Sequence, residues 1–90
     1  QANLSYAWLY NTNLHGAVLV YANLLNAKMN NANLSNANLT GATLSQALLQ
    51  NANLNNAMLD KAVLDQTDFK GASMNFTDFG TAFKTEAIFE

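Results

Sequence analysis

The groups able to trade protons or hold a metal are few in this 90-residue sequence: one histidine, six carboxylates and four lysines, with no arginine and no cysteine. His15 could act as general base to a serine, but a Ser-His-Asp arrangement needs an acid to orient the imidazole. The nearest acid in the sequence is Asp60. A zinc site needs three or four converging His, Cys, Asp or Glu ligands, and His15 has no such companion. The acids Asp60, Asp65, Asp68, Asp78, Glu86 and Glu90 all lie in the last third, while residues 1–59 carry Lys28 as their one formal charge. Without cysteine there is neither a thiol nucleophile nor a disulfide framework. The expectation is therefore no catalytic residue, no cofactor and no metal, with His15 a solvated side chain.

The elements that would position these groups follow from a period of five. From Ala2 onward every fifth residue is Ala or Thr, and two residues later stands Leu, Met or Phe, without insertion. The large apolar column is Leu4, Leu9, Leu14, Leu19, Leu24, Met29, Leu34, Leu39, Leu44, Leu49, Leu54, Leu59, Leu64, Phe69, Met74 and Phe79, and Lys84 is its single polar member. In an α-helix, at about 100° per residue, leucines five apart would be offset by roughly 140° and would spiral around every side. In a straight strand an odd repeat would throw them to alternate faces. One interior can hold them all only if the chain turns between repeats, always in the same sense, so that each pentad becomes one wall of a tube.

Residue types agree with such a tube. Small and large side chains alternate at the inward positions, which fills a narrow interior without voids. All 15 asparagines lie at the other three positions, with the serines and glutamines. These are turn formers whose side chains bond nearby backbone. Gly16, Gly41 and Gly71 share one slot, where a corner with positive φ is expected. Proline is absent, as it must be if N–H groups throughout bond neighbouring coils. Alanine at inward Leu39 or Leu54 should be costly, whereas outward Asn36 and Gln46 should tolerate it.

Ala32-Asn33-Leu34-Ser35-Asn36, Ala37-Asn38-Leu39-Thr40-Gly41 and Ala52-Asn53-Leu54-Asn55-Asn56 match A(D/N)LXX, and over nearly its whole length the chain resembles the pentapeptide repeat proteins. That resemblance implies an all-β fold, a right-handed quadrilateral β-helix with four pentads per coil, here about four coils. Stacking by 20 would then align His15 with Ser35, Asn55 and Asn75, and Trp8 with Lys28, Leu48, Asp68 and Ile88. No column holds two carboxylates, so paired acid–base chemistry of the glycosidase kind has no home. Asn13, Asn33 and Asn53 form an asparagine column, expected to steady the turns by hydrogen bonding along it.

The C-terminus departs from the pattern at Lys84, with Phe69, Phe76, Phe79, Phe83 and Phe89 crowded nearby. This predicts a β-helix over 1–81 and a C-terminal cap over 82–90. In the cap a short helix or turn, with Thr81 as N-cap, lays Phe83 and Phe89 over the open end. The alternative is a continuing coil with Lys84 snorkelling outward. All five phenylalanines are expected to fill or cap the core.

What remains for function is surface recognition. Tyr6, Trp8, Tyr10, Val18, Val20 and Tyr21 stand at outward slots in or beside the first coil and form the candidate interaction patch, since aromatic anchors with few charges suit interface cores. The expected role is a non-catalytic structural or protein-interaction module, a rigid rod that shows its faces to a protein partner or stacks end to end with other copies. The resemblance also implies a second reading, a DNA-mimicking inhibitor of DNA gyrase or topoisomerase as in the quinolone-resistance members of that family. Mimicry of a duplex needs dense, regular negative charge, and the net charge here is −2. Four lysines offer little to a phosphate backbone, so nucleic-acid binding is not expected. No apolar run approaches the roughly 18 residues of a membrane span. The lack of a secretory segment favours the cytoplasm, the uncapped start at Gln1 suggests a piece of a longer chain, and the abundance of the family in cyanobacteria hints at origin alone.

Overall fold

In the computed structural model, which describes residues 2–90, every pentad builds one extended side and one corner. Ala32-Asn33-Leu34-Ser35-Asn36 shows how. Alternation along the extended stretch sends Ala32 and Leu34 inward and Asn33 outward, and both apolar side chains are fully buried. The chain then turns: the Ala37 N–H donates to the Leu34 carbonyl at 3.0 Å. Asn36, third residue of this β-turn, has φ 60°, as a type II turn requires. Asn33 braces the corner from outside, its Oδ1 accepting from the Ser35 N–H at 3.0 Å and from the Ser35 hydroxyl at 2.7 Å.

Four corners close one coil. Parallel bridges pair Asn13 with Asn33, Asn33 with Asn53 and Asn53 with Ser73, so the vertical neighbour of each residue lies 20 positions on. Asn33 donates to the Thr12 carbonyl at 2.9 Å, Leu34 to that of Asn53 at 2.7 Å and Asn36 to that of Asn55 at 2.9 Å. With the turn bonds, all five N–H groups of the pentad have partners, which leaves proline no place. The four sides of the square can be named by the columns at their centres: side 1 through Asn3 and Asn23, side 2 through Trp8 and Lys28, side 3 through Asn13 and Asn33, side 4 through Val18 and Asn38. About four and a half coils give extents of 27 × 26 × 23 Å. The protein is thus a short, squat solenoid about as broad as it is tall.

Inside, the column from Leu19 to Phe69 is buried, while Leu4, Leu9 and Leu14 at one end and Met74 and Phe79 at the other are half-buried, since a coil covers them from one side only. Threonine can replace alanine here by bonding across coils. The Thr67 hydroxyl, fully buried, donates to the Leu44 carbonyl at 2.6 Å, and Thr77 donates to that of Leu54 at 2.7 Å.

The helix-or-turn cap expected over 82–90 does not form; the coil continues. Phe83 bridges Val63 and Ile88 bridges Asp68. The preceding coil dictates this: Leu64 and Phe69 donate their N–H groups to the carbonyls of Phe83 and Ile88, at 2.7 and 2.6 Å, and a helix there would strand them. Thr81 caps no helix; its N–H and hydroxyl both donate to the Asp60 carboxylate, at 2.9 and 3.0 Å. Its corner is also the exception in φ. Gly80 takes the positive value, 45°, in place of Thr81, because a β-branched residue avoids that region.

Corners also correct the expected tolerance of Asn36 and Gln46. Both have positive φ, 60° and 61°, where an alanine Cβ crowds the following carbonyl. Asn36→Ala should therefore cost about 1–2 kcal/mol, and Asn36→Gly much less, as read from urea midpoints. Equal losses for the two would contradict this account of the corner.

Candidate interaction surface

Positions 6, 8 and 10 alternate with inward Ala7 and Leu9, so Tyr6, Trp8 and Tyr10 project together from side 2 and its two corners. All three are exposed, Trp8 at 82%. Below Trp8 the same column carries Lys28, Leu48, Asp68 and Ile88. Side 2 thus presents an aromatic strip of the kind that interface centres favour, above a column of mixed apolar and charged residues.

Val18, Val20 and Tyr21 do not join that strip. They lie two sides further along a four-sided coil, and so belong to side 4 and its corner, opposite Trp8. The candidate patch is therefore two patches. Val18 is 80% exposed. Tyr21 leans on the coil below, where a Cβ on Gly41 would stand 2.5 Å from its ring, so glycine at 41 makes room for the tyrosine.

Two phenylalanines expected inside are outside. Phe76 and Phe83 are exposed, because they occupy outward slots of the pentad; the phase of the repeat already carried that signal. Phe69, Phe79 and Phe89 do fill the end of the tube. Phe89 stacks on Phe69 with centroids 5.1 Å apart and meets Phe79 edge-on at 5.7 Å. The Lys84 ammonium lies 5.4 Å from the centroid of the Phe79 ring.

The polar columns behave as supports. Asn13, Asn33 and Asn53 do not bond along their column as expected; each returns its Oδ1 to its own corner, to the N–H of His15, Ser35 and Asn55 at 3.1, 3.0 and 2.9 Å. Side-chain ladders form at the corners instead. Gln46 donates to Gln66 and Gln66 to Glu86, each at 3.0 Å, and Asn30 donates to Gln50 at 2.7 Å. His15 Nδ1 pairs with the Ser35 hydroxyl at 2.6 Å, and no acid joins them in that column. Below Asp60, Asp65 and Asp68 stand Gly80, Thr85 and Ile88. Among the described residues no group of three or more His, Asp or Glu side chains converges on a metal position. An open recess of about 330 Å³ at one corner is lined by Gln50, Asn51, Lys70 and Gly71, with Lys70 its one ionisable side chain.

Asp60 is held below the ordinary aspartate pKa, first by the Thr81 N–H and then by the Thr81 hydroxyl. A lowered folded-state value means that this bracing is complete above the ordinary carboxylate range and is lost as pH falls through the folded value. Asp60→Asn should accordingly lower the melting temperature in the neutral region and converge with wild type at acid pH, where the carboxylate is protonated, so that the acid limb of the profile flattens. An unaltered acid limb would contradict it.

Similarity to known proteins agrees with this geometry. The family model described as pentapeptide repeats matches residues 1–36 and 47–82, in eight copies. A pentapeptide repeat protein of the Arabidopsis thaliana thylakoid lumen is 32% identical, over 90% of this chain and 57% of that one, with a TM-score of 0.86. Rfr23, from the cyanobacterium Cyanothece 51142, is 31% identical, over 98% of this chain and 64% of its own, with a TM-score of 0.54. QnrB1, a plasmid-mediated fluoroquinolone resistance protein, shares 15% identity over 87% of this chain and 60% of its own at a TM-score of 0.39, too low to carry an argument. The chain thus spans about six tenths of the length of these structures. No curated protein matches the sequence significantly. Pentads of one spacing, corners with positive φ, parallel bridges from each coil to the next and the family match together make this chain a member of the pentapeptide repeat family.

Proposed function

We propose that this chain is a non-catalytic protein-interaction module that presents side 2 to a protein partner, with Trp8 as the central anchor between Tyr6 and Tyr10. The observation that carries the reading is the exposure of three aromatic side chains on one side of one coil, Trp8 at 82%. Large aromatics gain most when a partner desolvates them, and truncating such an anchor typically costs about 2 kcal/mol or more, ~30-fold in affinity. Val18, on the opposite side, serves as control.

The test is affinity capture from the source extract, followed by titration of the captured protein while the emission of Trp8, the one tryptophan, is recorded. Binding should shift that emission to the blue and shield it from quenchers. The Trp8→Ser, Tyr10→Ser double variant should lose the partner, and Val18→Ser should keep it. Undiminished binding by the double variant would sink the proposal. The DNA-mimic reading gains no support from the shape: a block of 27 × 26 × 23 Å, with its acids spread over separate columns, offers no long negative groove. Inhibition of gyrase supercoiling by micromolar protein would reverse that preference.

A further inference from the structure

The column at the centre of side 2 runs Trp8, Lys28, Leu48, Asp68 and Ile88, and it complements itself when read in reverse about Leu48. Reversal sets Lys28 against Asp68 and Trp8 against Ile88. Among the described residues, side 2 is the one side whose central column carries charges of both signs: sides 1 and 3 carry none there, and side 4 carries Asp78 alone. Within one chain the two charges stand two coils apart and are held by other groups. The Lys28 ammonium donates to the Asn26 carbonyl at 2.9 Å, and the Asp68 carboxylate accepts from the Lys70 N–H and from the Gln50 amide, each at 2.9 Å. Three ammonium protons and about four carboxylate lone-pair sites leave both groups able to take a further partner.

We propose that the partner of side 2 is a second copy of this chain, set antiparallel about a two-fold axis that runs along the strands through Leu48; the inference rests on the reading of side 2 as the interaction side. On the axis Leu48 meets Leu48. Lys28 of each copy faces Asp68 of the other, and Trp8, exposed at 82%, covers Ile88, exposed at 45%, so apolar contacts supply the area while the two ion pairs fix register and direction. The corner columns agree. Gln46 and Gln50 meet their own counterparts, Tyr6 meets Glu86 and Asn30 meets Lys70, with no like charges opposed. A parallel pair, about an axis along the solenoid, would set Lys28 on Lys28 and Asp68 on Asp68, and that like-charge juxtaposition excludes it. The register rests on Lys28, Leu48 and Asp68 and is the same however many coils flank them. One side of coils with extents of 27 × 26 × 23 Å offers at most about 600 Å² to a partner, so the pair buries about 1,200 Å², the lower end of specific interfaces. A dimer that forms at micromolar concentration and dissociates on dilution is therefore expected.

Sedimentation velocity over a range of concentrations tests this, with far-ultraviolet circular dichroism to establish that each variant is folded. Wild type should rise from monomer to dimer and no further, because an isologous contact closes on itself. Lys28→Glu and Asp68→Lys should each stay monomeric where wild type is dimeric, since each sets like charges together at both pairs. Mixed in equal amounts, the two variants should regain the dimer, because the mixed pair again opposes unlike charges at both places. Leu48→Lys, which brings two ammonium groups together on the axis, should also be monomeric, and it supplies the test should Asp68→Lys not fold. A wild type that stays monomeric, a mixture of folded variants that fails to regain the dimer, Leu48→Lys assembling like wild type, or a mass beyond that of a dimer would each overturn the inference. Its failure is distinct from failure of the reading beneath it: a monomeric wild type whose captured partner is lost on the Trp8→Ser, Tyr10→Ser double variant overturns the second copy alone, whereas capture undiminished by that variant overturns both.

Discussion

Leu39→Ala should lower the free energy of unfolding by about 2–5 kcal/mol, the cost of a deleted leucine side chain in a core that cannot collapse onto the space. Leu39 is fully buried and sits in its side between Leu19 above and Leu59 below. The coil spacing is fixed by main-chain bonds such as Leu39 N–H to the Met58 carbonyl at 2.7 Å, so neighbours cannot close in without breaking the ladder. Leu4→Ala removes the same atoms from a half-buried position at the edge and should cost clearly less. A shift of the urea midpoint at unchanged slope measures both. Equal costs would mean that the interior is not a closed column.

Asn53→Pro should be as damaging for a different reason. Its N–H donates to the Ala32 carbonyl at 2.9 Å in the middle of the ladder. Proline removes that donor and leaves a buried carbonyl short of its bond, a combination expected to cost about 3 kcal/mol or more. Asn13→Pro, in the same slot at the open edge, forfeits no ladder bond, since the Asn13 N–H has no backbone partner. Both substitutions lose the brace to the corner, from Asn53 to the Asn55 N–H and from Asn13 to the His15 N–H, so the difference between them isolates the ladder. Denaturation midpoints that fell together would remove the ladder from the explanation of why proline is missing.

Much of the fold is legible in the residues because one interior imposes one period. The leucine column needs only the spacing of Ala2, Leu4, Ala7 and Leu9 to be read, and the turn chemistry of Asn and Gly marks the corners. The C-terminus misleads because Lys84 reads as an intruder in an interior that a further coil would complete. At an open edge its ammonium stays in water, and the demands of Leu64 and Phe69 for carbonyl partners hold the backbone in the coil. The candidate patch is half legible. Alternation places Tyr6, Trp8 and Tyr10 on one side, but Val18 and Tyr21 can be separated from them only by counting sides of the square. Hydrogen-bond partners are least legible: an asparagine at 33 can bond its own corner or the asparagine at 53, and the choice rests on backbone geometry that residue types do not reveal.

The central claim, that each residue stands over its counterpart four pentads on, can be tested by cross-linking. The chain has no cysteine, and a disulfide needs Cα atoms about 4.4–6.8 Å apart, a span that neighbouring strands about 4.8 Å apart satisfy. Oxidation of Asn33→Cys paired with Asn53→Cys should close a disulfide rapidly and nearly completely. Asn33→Cys paired with Leu48→Cys or with Met58→Cys, the partners that a three-sided or a five-sided coil would bring together, should remain reduced under the same conditions. Rapid closure of either of those pairs, or an unlinked 33–53 pair in folded protein, would contradict the four-sided coil.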